Sequence, residues 1–99
     1  MTRHVIELPT DSTPVAVRLG DTDLLIANVD GRWHAVEDRC SHAGCAFSTD
    51  GDLDGTTLTC DCHGSEFDLL TGRALSMPAS RPIRTFPVRE AAGRLEVEI

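Results

Sequence analysis

Several features of membrane and exported proteins are missing from this chain of 99 residues. It has no run of the roughly 20 apolar residues that a membrane-spanning helix needs. Its first residues contain neither the apolar region of a signal peptide nor a twin-arginine motif. We therefore expect a soluble, cytoplasmic protein with no membrane partner.

Lysine is also missing, so that all nine basic residues are arginines, and the net charge is −7. The stretch 40–72 contains six carboxylates and no basic residue. Nucleic acids and anionic membranes are bound through clusters of basic residues, so we expect neither as a partner. The acidic stretch could steer a basic protein partner to the chain, or it could simply keep a loop region in solution.

Helical periodicity is lacking as well, because no segment of ten residues shows a clean apolar stripe. Short alternating segments broken by turn signals predict instead a single all-β domain over 1–99, a small sandwich or barrel. The predicted strands are His4–Leu8, Val15–Leu19, Leu24–Val29, Trp33–Val36, Thr57–Thr59, Ser65–Leu69, Ile83–Val88 and Leu95–Ile99. The predicted turns are Asp30-Gly31, Asp50-Gly51, Asp54-Gly55 and Ala92-Gly93, with a short helical turn within Val36–Ala43.

Two short motifs collect cysteine and histidine. Cys40-Ser41-His42 is followed, after a spacer of 17 residues, by Cys60-Asp61-Cys62-His63. Together they offer two thiolates and two imidazoles. This is the ligand set of a [2Fe–2S] cluster with two Cys on one iron and two His on the other. The motifs therefore indicate one-electron chemistry rather than hydrolysis.

Two other metal sites can be built from the same residue types. Structural zinc sites usually pair Cys with Cys and His with His, whereas each motif here is mixed. An all-cysteine cluster would not have the spacing of plant-type ferredoxins and would leave both histidines unexplained. Its four ligands would be Cys40, Cys45, Cys60 and Cys62. Both alternatives are disfavoured by the pattern.

The stretches Cys-Ser-His-Ala-Gly-Cys at 40–45 and Cys-Asp-Cys-His-Gly-Ser at 60–65 resemble the Rieske [2Fe–2S] family. The resemblance implies the Rieske fold, a small antiparallel β-sandwich or barrel base with a cluster-binding insertion at about 39–68. It also implies that two cysteines hold the inner iron and two histidines the outer, electron-accepting iron. Those four ligands are Cys40, Cys60, His42 and His63.

The other two cysteines, Cys45 and Cys62, resemble the extra pair found in the high-potential branch of the family. The resemblance implies a disulfide that joins the two cluster loops. A cytoplasmic protein rarely holds a disulfide, so two reduced and packed thiols are the alternative.

Further residues near the motifs also match the family. Ser65 matches a serine that donates a hydrogen bond to a bridging sulfide, while Phe67 stands where the high-potential branch has a tyrosine. The cysteine pair and Ser65 match features that raise the midpoint potential, whereas Phe67 lowers it because the tyrosine hydroxyl is missing. We therefore expect a midpoint potential between those of the two branches. Gly44 and Gly64 lie where the backbone must approach the cluster closely. Met77-Pro78-Ala79 resembles the proline loop that covers the cluster, although it could be an ordinary turn.

The resemblance implies an electron-transfer protein rather than an enzyme. It would take electrons from a flavin-dependent reductase and pass them to a non-haem iron oxygenase, docking near His42 and His63. Only His4 and His34 remain for a mononuclear iron site, which needs two histidines and a carboxylate. The alternatives are a Rieske-like small subunit of a larger oxidoreductase, as in nitrite reductases, and a redox-responsive interaction module switched by Cys45 and Cys62.

Overall fold

The computed structural model describes residues 2–10, 13–41, 44–62, 64–77 and 81–99. Within these ranges the chain forms ten strands and one four-residue helix. The elements are β1 (Arg3–Glu7), β2 (Val15–Leu19), β3 (Thr22–Val29), β4 (Arg32–Glu37), α1 (Phe47–Asp50), β5 (Gly51–Asp54), β6 (Thr57–Cys60), β7 (Ser65–Asp68), β8 (Thr85–Phe86), β9 (Val88–Ala91) and β10 (Arg94–Glu98).

The strands form three antiparallel sheets, which confirms the predicted all-β class. The first sheet has the order β1-β10-β9, so it joins the two ends of the chain. The second has the order β2-β3-β4-β8, and the third is the meander β5-β6-β7. The two predicted cluster motifs lie next to the third sheet and within it. The first precedes α1 along the chain, and the second begins at Cys60, the last residue of β6, and leads toward β7.

Strand β3 separates two hydrophobic cores because it is buried on both faces. Leu24 and Ile26 lie in one core with residues of β10, whereas Leu25 and Ala27 lie in the other. The second core also contains Leu58, Phe67 and the two motif cysteines, Cys40 and Cys60. Because successive side chains of β3 point to opposite faces, the strand contributes to both cores, and one of these two cores contains the predicted cysteine ligands.

Most of the predicted turns are found. Asp30 and Gly31 both have positive φ, 53° and 81°, as a type I′ hairpin between β3 and β4 requires. Ala92-Gly93 connects β9 to β10 in the same way, with φ of 53° and 75°. The Asp54-Gly55 signal also falls at a hairpin, whose two-residue loop is Gly55-Thr56.

Three local predictions are wrong. Asp50-Gly51 is not a turn, because Asp50 ends α1 and Gly51 begins β5 with an extended backbone. The helical turn expected within Val36–Ala43 is absent from its described part, residues 36–41, where β4 continues to Glu37 instead. Ile83–Val88 is not one strand, since Pro87 has no N–H to donate and separates β8 from β9.

None of the helical structure in the described ranges is long and apolar enough to cross a bilayer.

Candidate metal centre

Two loops with matching backbone geometry carry the predicted cysteine ligands. In the first, the Gly44 N–H donates to the Cys40 carbonyl at 2.9 Å, and in the second, the Gly64 N–H donates to the Cys60 carbonyl at 2.8 Å. Both glycines have positive φ, 73° and 78°. Since only glycine adopts this conformation without steric cost, each loop turns sharply four residues after its cysteine. The loops can therefore present two cysteine side chains in the same way.

The structure joins two of the four cysteines in a disulfide. The other two, Cys40 and Cys60, are not disulfide-bonded and have 1% and 0% of their surface exposed. Cys45 and Cys62 form a disulfide with an S–S distance of 2.06 Å. The sulfur atoms of Cys45, Cys60 and Cys62 lie within 4.8 Å of one another. Because disulfide sulfurs cannot serve as thiolate ligands, this arrangement is incompatible with the all-cysteine cluster.

The floor of the site is formed by β6 and β7. Ser65 lies directly opposite Cys60 in the strand register and is 1% exposed. Phe67 lies opposite Leu58, is fully buried, and packs edge-on against Phe47 with ring centroids 5.6 Å apart. An aromatic ring without a hydroxyl therefore stands two residues beyond Ser65, inside an apolar core.

Gly51 is a structural requirement of the site, although the sequence predicted a turn at this position. It lies opposite Cys60 at the start of β5. A Cβ at this position would be 2.6 Å from the carbonyl oxygen of Phe47 and 3.0 Å from that of Thr59. Contacts this short cannot be accommodated without a backbone shift, so only glycine fits between α1 and β6 next to Cys60.

Asp38 anchors the first loop and has no signature in the sequence. Its side chain is largely buried, and its carboxylate accepts hydrogen bonds from the Ser48 backbone N–H at 2.9 Å and the Ser48 hydroxyl at 2.5 Å. Its own backbone N–H donates to the Asp23 carbonyl at 2.9 Å. Asp38 and Ser48 lie on either side of the Cys40–Cys45 loop along the chain, so their contact holds the ends of that loop together.

Arginines reach the first loop from both sides of the acidic stretch. Arg39, Arg81 and Arg84 line a groove of about 680 Å³ together with Cys40 and Ser41. Ser41 and Arg81 are hydrogen-bonded in both directions: the Ser41 hydroxyl donates to the Arg81 carbonyl at 2.6 Å, and the Arg81 guanidinium donates to the Ser41 carbonyl at 3.0 Å. The surroundings of the site are thus not uniformly acidic.

Three of the predicted site residues, His42, His63 and Pro78, lie outside the described residues. Their roles as outer-iron ligands and as part of a covering loop remain predictions.

Residues 1–87 match the Rieske [2Fe–2S] domain. The chain belongs to the Rieske [2Fe–2S] domain family. It is similar to the ferredoxin component of the p-cumate 2,3-dioxygenase system of Pseudomonas putida, with 40% identity over 76 residues. That alignment covers 77% of this Rieske domain but 64% of the relative, slightly less than two thirds. The 3-phenylpropionate/cinnamic acid dioxygenase ferredoxin subunit of Escherichia coli K12 is 38% identical over 80% of this chain and 76% of its own length.

Solved structures show the same fold. The Sphingomonas yanoikuyae B1 ferredoxin has 36% identity and a TM-score of 0.81, covering 91% of this chain and 88% of its own. A chain from the complex of reduced oxygenase and oxidised ferredoxin in carbazole 1,9a-dioxygenase has 32% identity and a TM-score of 0.80. That match covers 89% of this chain and 82% of the other.

The cofactor of this Rieske domain is therefore one [2Fe–2S] cluster. The described residues fit such a cluster. They provide two buried cysteines outside the disulfide, on matched loops, and two glycine turns that let the backbone come close. Zinc, the other metal that the motifs allow, is not the cofactor of this family.

Proposed function

We propose that this Rieske domain carries single electrons from a flavin-dependent reductase to the oxygenase component of a non-haem iron oxygenase system. The observation that carries the proposal is the pair of buried cysteines, Cys40 and Cys60, that stay outside the disulfide at equivalent positions of two hydrogen-bond-matched loops. The names of the relatives support it, because both sequence relatives are ferredoxin parts of dioxygenase systems. One solved structure of similar fold is a complex of ferredoxin with oxygenase.

The proposed ligands follow the two motifs. Cys40 and Cys60 would hold the inner iron, and His42 and His63 the outer iron, within a cluster-binding subdomain at about 39–68. The equivalent placement of the two cysteines in their loops supports this assignment. When bound, a cluster with these ligands accepts and returns one electron at a potential well above that of plant-type ferredoxins.

The residues of this chain would control the environment of the cluster. Burial of Cys40 and Cys60 keeps water away from the cysteine ligands, while Phe67 supplies an apolar wall below them. We propose that the Ser65 hydroxyl donates a hydrogen bond to the cluster, which would stabilise the reduced form because that form carries more negative charge. Partners would dock near His42 and His63, where the electron leaves.

We also propose that the domain acts in the cytoplasm. Flavin reductases of this kind draw hydride from reduced nicotinamide cofactors, which are supplied there. Fractionation of the native host would test the location. The domain should be recovered with cytoplasmic marker enzymes, and recovery with periplasmic markers would contradict this part of the proposal.

Spectroscopy of the reconstituted domain tests the ligand assignment. Reduction by dithionite should turn an EPR-silent protein into one with a rhombic signal whose average g value lies below that of all-cysteine clusters. The Cys60→Ala variant should lose the iron. A Cys45→Ser/Cys62→Ser variant is the matched control, because it removes two neighbouring cysteines and should keep the iron. Full retention of iron by Cys60→Ala would refute the assignment.

Reconstitution of electron transfer tests the carrier role. Purified reductase and oxygenase from a dioxygenase system of the p-cumate type should turn over only when the holoprotein is added, and the rate should rise with its concentration. Size-exclusion chromatography of the holoprotein should give a monomer. Permanent association with a larger oxidoreductase, without any turnover in the reconstituted system, would favour the subunit alternative instead.

A further inference from the structure

A groove lined by three arginines lies beside the first cluster loop. Arg39 and Arg81 come from the two sides of the acidic stretch, and Arg84 lies just before β8. All three side chains are exposed. We refer to the surface formed by Arg39, Arg81 and Arg84 as the arginine groove. It also contains the buried ligand candidate Cys40, so anything bound in it would lie next to the cluster.

Among the described residues, no carboxylate forms an ion pair with a guanidinium group of the arginine groove. In the described part of the chain, the ion pairs are formed by other arginines, Arg3, Arg18 and Arg89. Among the described residues that line the groove, Glu37 is the one carboxylate, and its Oε1 accepts the backbone N–H of Arg84 at 2.7 Å. The described lining thus has three guanidinium groups and one carboxylate, on a protein whose net charge is −7. Two of the three arginines, Arg39 and Arg84, also line an adjoining groove.

Hydrogen bonds and a ring contact restrict the positions of Arg81 and Arg84. The segment 81–84 is tied to the first loop by the two Ser41–Arg81 hydrogen bonds. It is tied to β4 because the Glu37 N–H also donates to the Arg84 carbonyl at 2.9 Å. The Arg84 guanidinium lies over the Phe86 ring, 4.8 Å from its centroid. Guanidinium groups whose positions are already restricted lose less entropy when they bind a carboxylate.

The charge of the surface changes sign from one end of the arginine groove to the other. Beyond Arg39 and Arg84 the surface becomes acidic, where Asp21 and Asp23 line a second groove. An anionic group is therefore repelled on that side and attracted toward Ser41 and Arg81. The third sheet carries four of the six carboxylates of the acidic stretch, Asp52, Asp54, Glu66 and Asp68.

We propose that the arginine groove binds an acidic surface segment, rich in Asp and Glu, of a redox partner protein. The inference rests on the proposed electron-carrier function and adds the chemistry of one docking contact. Carboxylates match guanidinium groups in charge and in bidentate geometry. Basic residues of the partner could contact the acidic third sheet. The acidic segment of the partner would be attracted by the arginine groove and repelled by that sheet, so one orientation of the partner would be favoured.

Small redox reagents of opposite charge can test the groove without knowledge of the partner. The holoprotein is reduced with dithionite, freed of excess reagent, and mixed in a stopped-flow instrument at low ionic strength. One oxidant is ferricyanide, an anion, and the other is tris(phenanthroline)cobalt(III), a cation. Each molecule of oxidant takes one electron from one reduced cluster, so the recovery of cluster absorbance gives the rate.

The variant to compare is Arg39→Gln/Arg81→Gln/Arg84→Gln. Its matched control is Arg3→Gln/Arg32→Gln/Arg94→Gln, which removes the same charge from exposed positions that do not line the groove. We expect ferricyanide to react about tenfold more slowly with the groove variant than with the control, whereas the cobalt complex should react no more slowly with the groove variant than with the control. High ionic strength should abolish the difference.

Competition identifies the ligand class. A hexaglutamate peptide should slow the reaction of ferricyanide with the wild-type protein and the control but not with the groove variant, and hexaglutamine should slow none of them. Inorganic phosphate at the same ionic strength should compete much less than hexaglutamate. Equal competition by phosphate would overturn the proposal in favour of a small-anion site.

Equal slowing of ferricyanide in the two triple variants would also overturn the proposal, because net charge alone would then explain the rates. Unchanged EPR spectra of both variants establish that any difference arises from access and not from loss of the cluster. A wild-type domain that accepts no electron from dithionite would instead refute the electron-carrier function itself.

Discussion

Gly72 lies so close to the backbone of Ile83 that a Cβ on Gly72 would be 2.1 Å from the Ile83 carbonyl oxygen. The Ile83 N–H donates to the Gly72 carbonyl at 2.8 Å, and the Gly72 N–H donates to the Asp68 carbonyl at 2.7 Å. These bonds connect the end of β7 to the segment that leads into β8. They close the base of the stretch 73–82, which contains the predicted covering loop at Pro78.

Gly72→Ala should destabilise the domain more than a matched change at Gly93. Both glycines have positive φ, 78° and 75°, so alanine costs about 1–2 kcal/mol at either site. Nothing lies within 4 Å of a Cβ at Gly93, whereas Gly72→Ala adds a backbone clash. Urea denaturation of both variants would check this, and equal losses of unfolding free energy would show that the close approach to Ile83 is unimportant.

Asp38→Ala should cost about 1–3 kcal/mol of stability, since it leaves the backbone N–H of Ser48 without its acceptor. The exposed Asp52→Ala is a suitable control, with an expected change within about 0.5 kcal/mol. Thermal denaturation of the apoprotein and holoprotein would measure both. If Asp38 anchors the first loop, Asp38→Ala should also lower the yield of iron on reconstitution, whereas Asp52→Ala should not.

Removal of the disulfide should lower the unfolding free energy of the apoprotein. Cys45 and Cys62 are 17 positions apart, and a loop of that size corresponds to about 3 kcal/mol in the chain-entropy model. Cys45→Ser/Cys62→Ser should show this loss without reductant, while dithiothreitol should remove the difference from the wild type. Alkylation of the apoprotein under denaturing, non-reducing conditions, followed by mass spectrometry, should count two reactive cysteines; a count of four would contradict the disulfide.

Phe67→Tyr tests the origin of the midpoint potential. A tyrosine hydroxyl that reaches a cysteine ligand would stabilise the reduced cluster. If the reduced cluster is stabilised relative to the oxidised one by about 1.4 kcal/mol, the one-electron potential rises by about 59 mV. Phe86→Tyr in the other core is the control and should leave the potential unchanged. Protein-film voltammetry gives both values. A wild-type potential at either family extreme would reject the intermediate value expected from the sequence.

His34 should make stability depend on pH. Burial lowers its pKa and the nearby Arg32 lowers it further, while Asp68 opposes them. In the unfolded chain histidine takes up its proton near pH 6.5, at a higher pH than in the folded protein. The effect of His34 on the unfolding free energy is therefore most favourable above about pH 6.5, where the side chain is neutral in both states. The unfolding free energy decreases as the pH falls toward the folded pKa, because the unfolded chain then binds the proton more readily. His34→Asn should flatten this slope in denaturation experiments from pH 7 to 5, whereas His4→Asn controls for the loss of a histidine.

The residues near the motifs show why part of the site could be predicted from sequence. Cys40 and Cys60 provide ligands at short fixed spacings, and Gly44 and Gly64 mark turns whose conformation is set locally. Asp30-Gly31 is found as predicted for the same reason, because a two-residue hairpin depends on its own two φ angles.

The missed features depend on contacts between distant parts of the chain. Asp50-Gly51 has the composition of a turn, but Gly51 is required by the backbone of Phe47 and Thr59 that packs against it. The arginine groove assembles residues 39 and 81–84 across the acidic stretch, so a count of charges along the sequence could not find it. Asp38 and Ser48 are matched only once β4 and α1 are in place.

The link between Cys45 and Cys62 has a consequence for how the cluster is built. With the two loops already tied together, Cys40 and Cys60 do not have to find each other by diffusion of flexible segments. The second thiol then binds at a high effective concentration once the first holds iron. Cluster insertion into the oxidised apoprotein becomes a local event, and the order in which the cell forms the disulfide and delivers iron would set the rate of maturation.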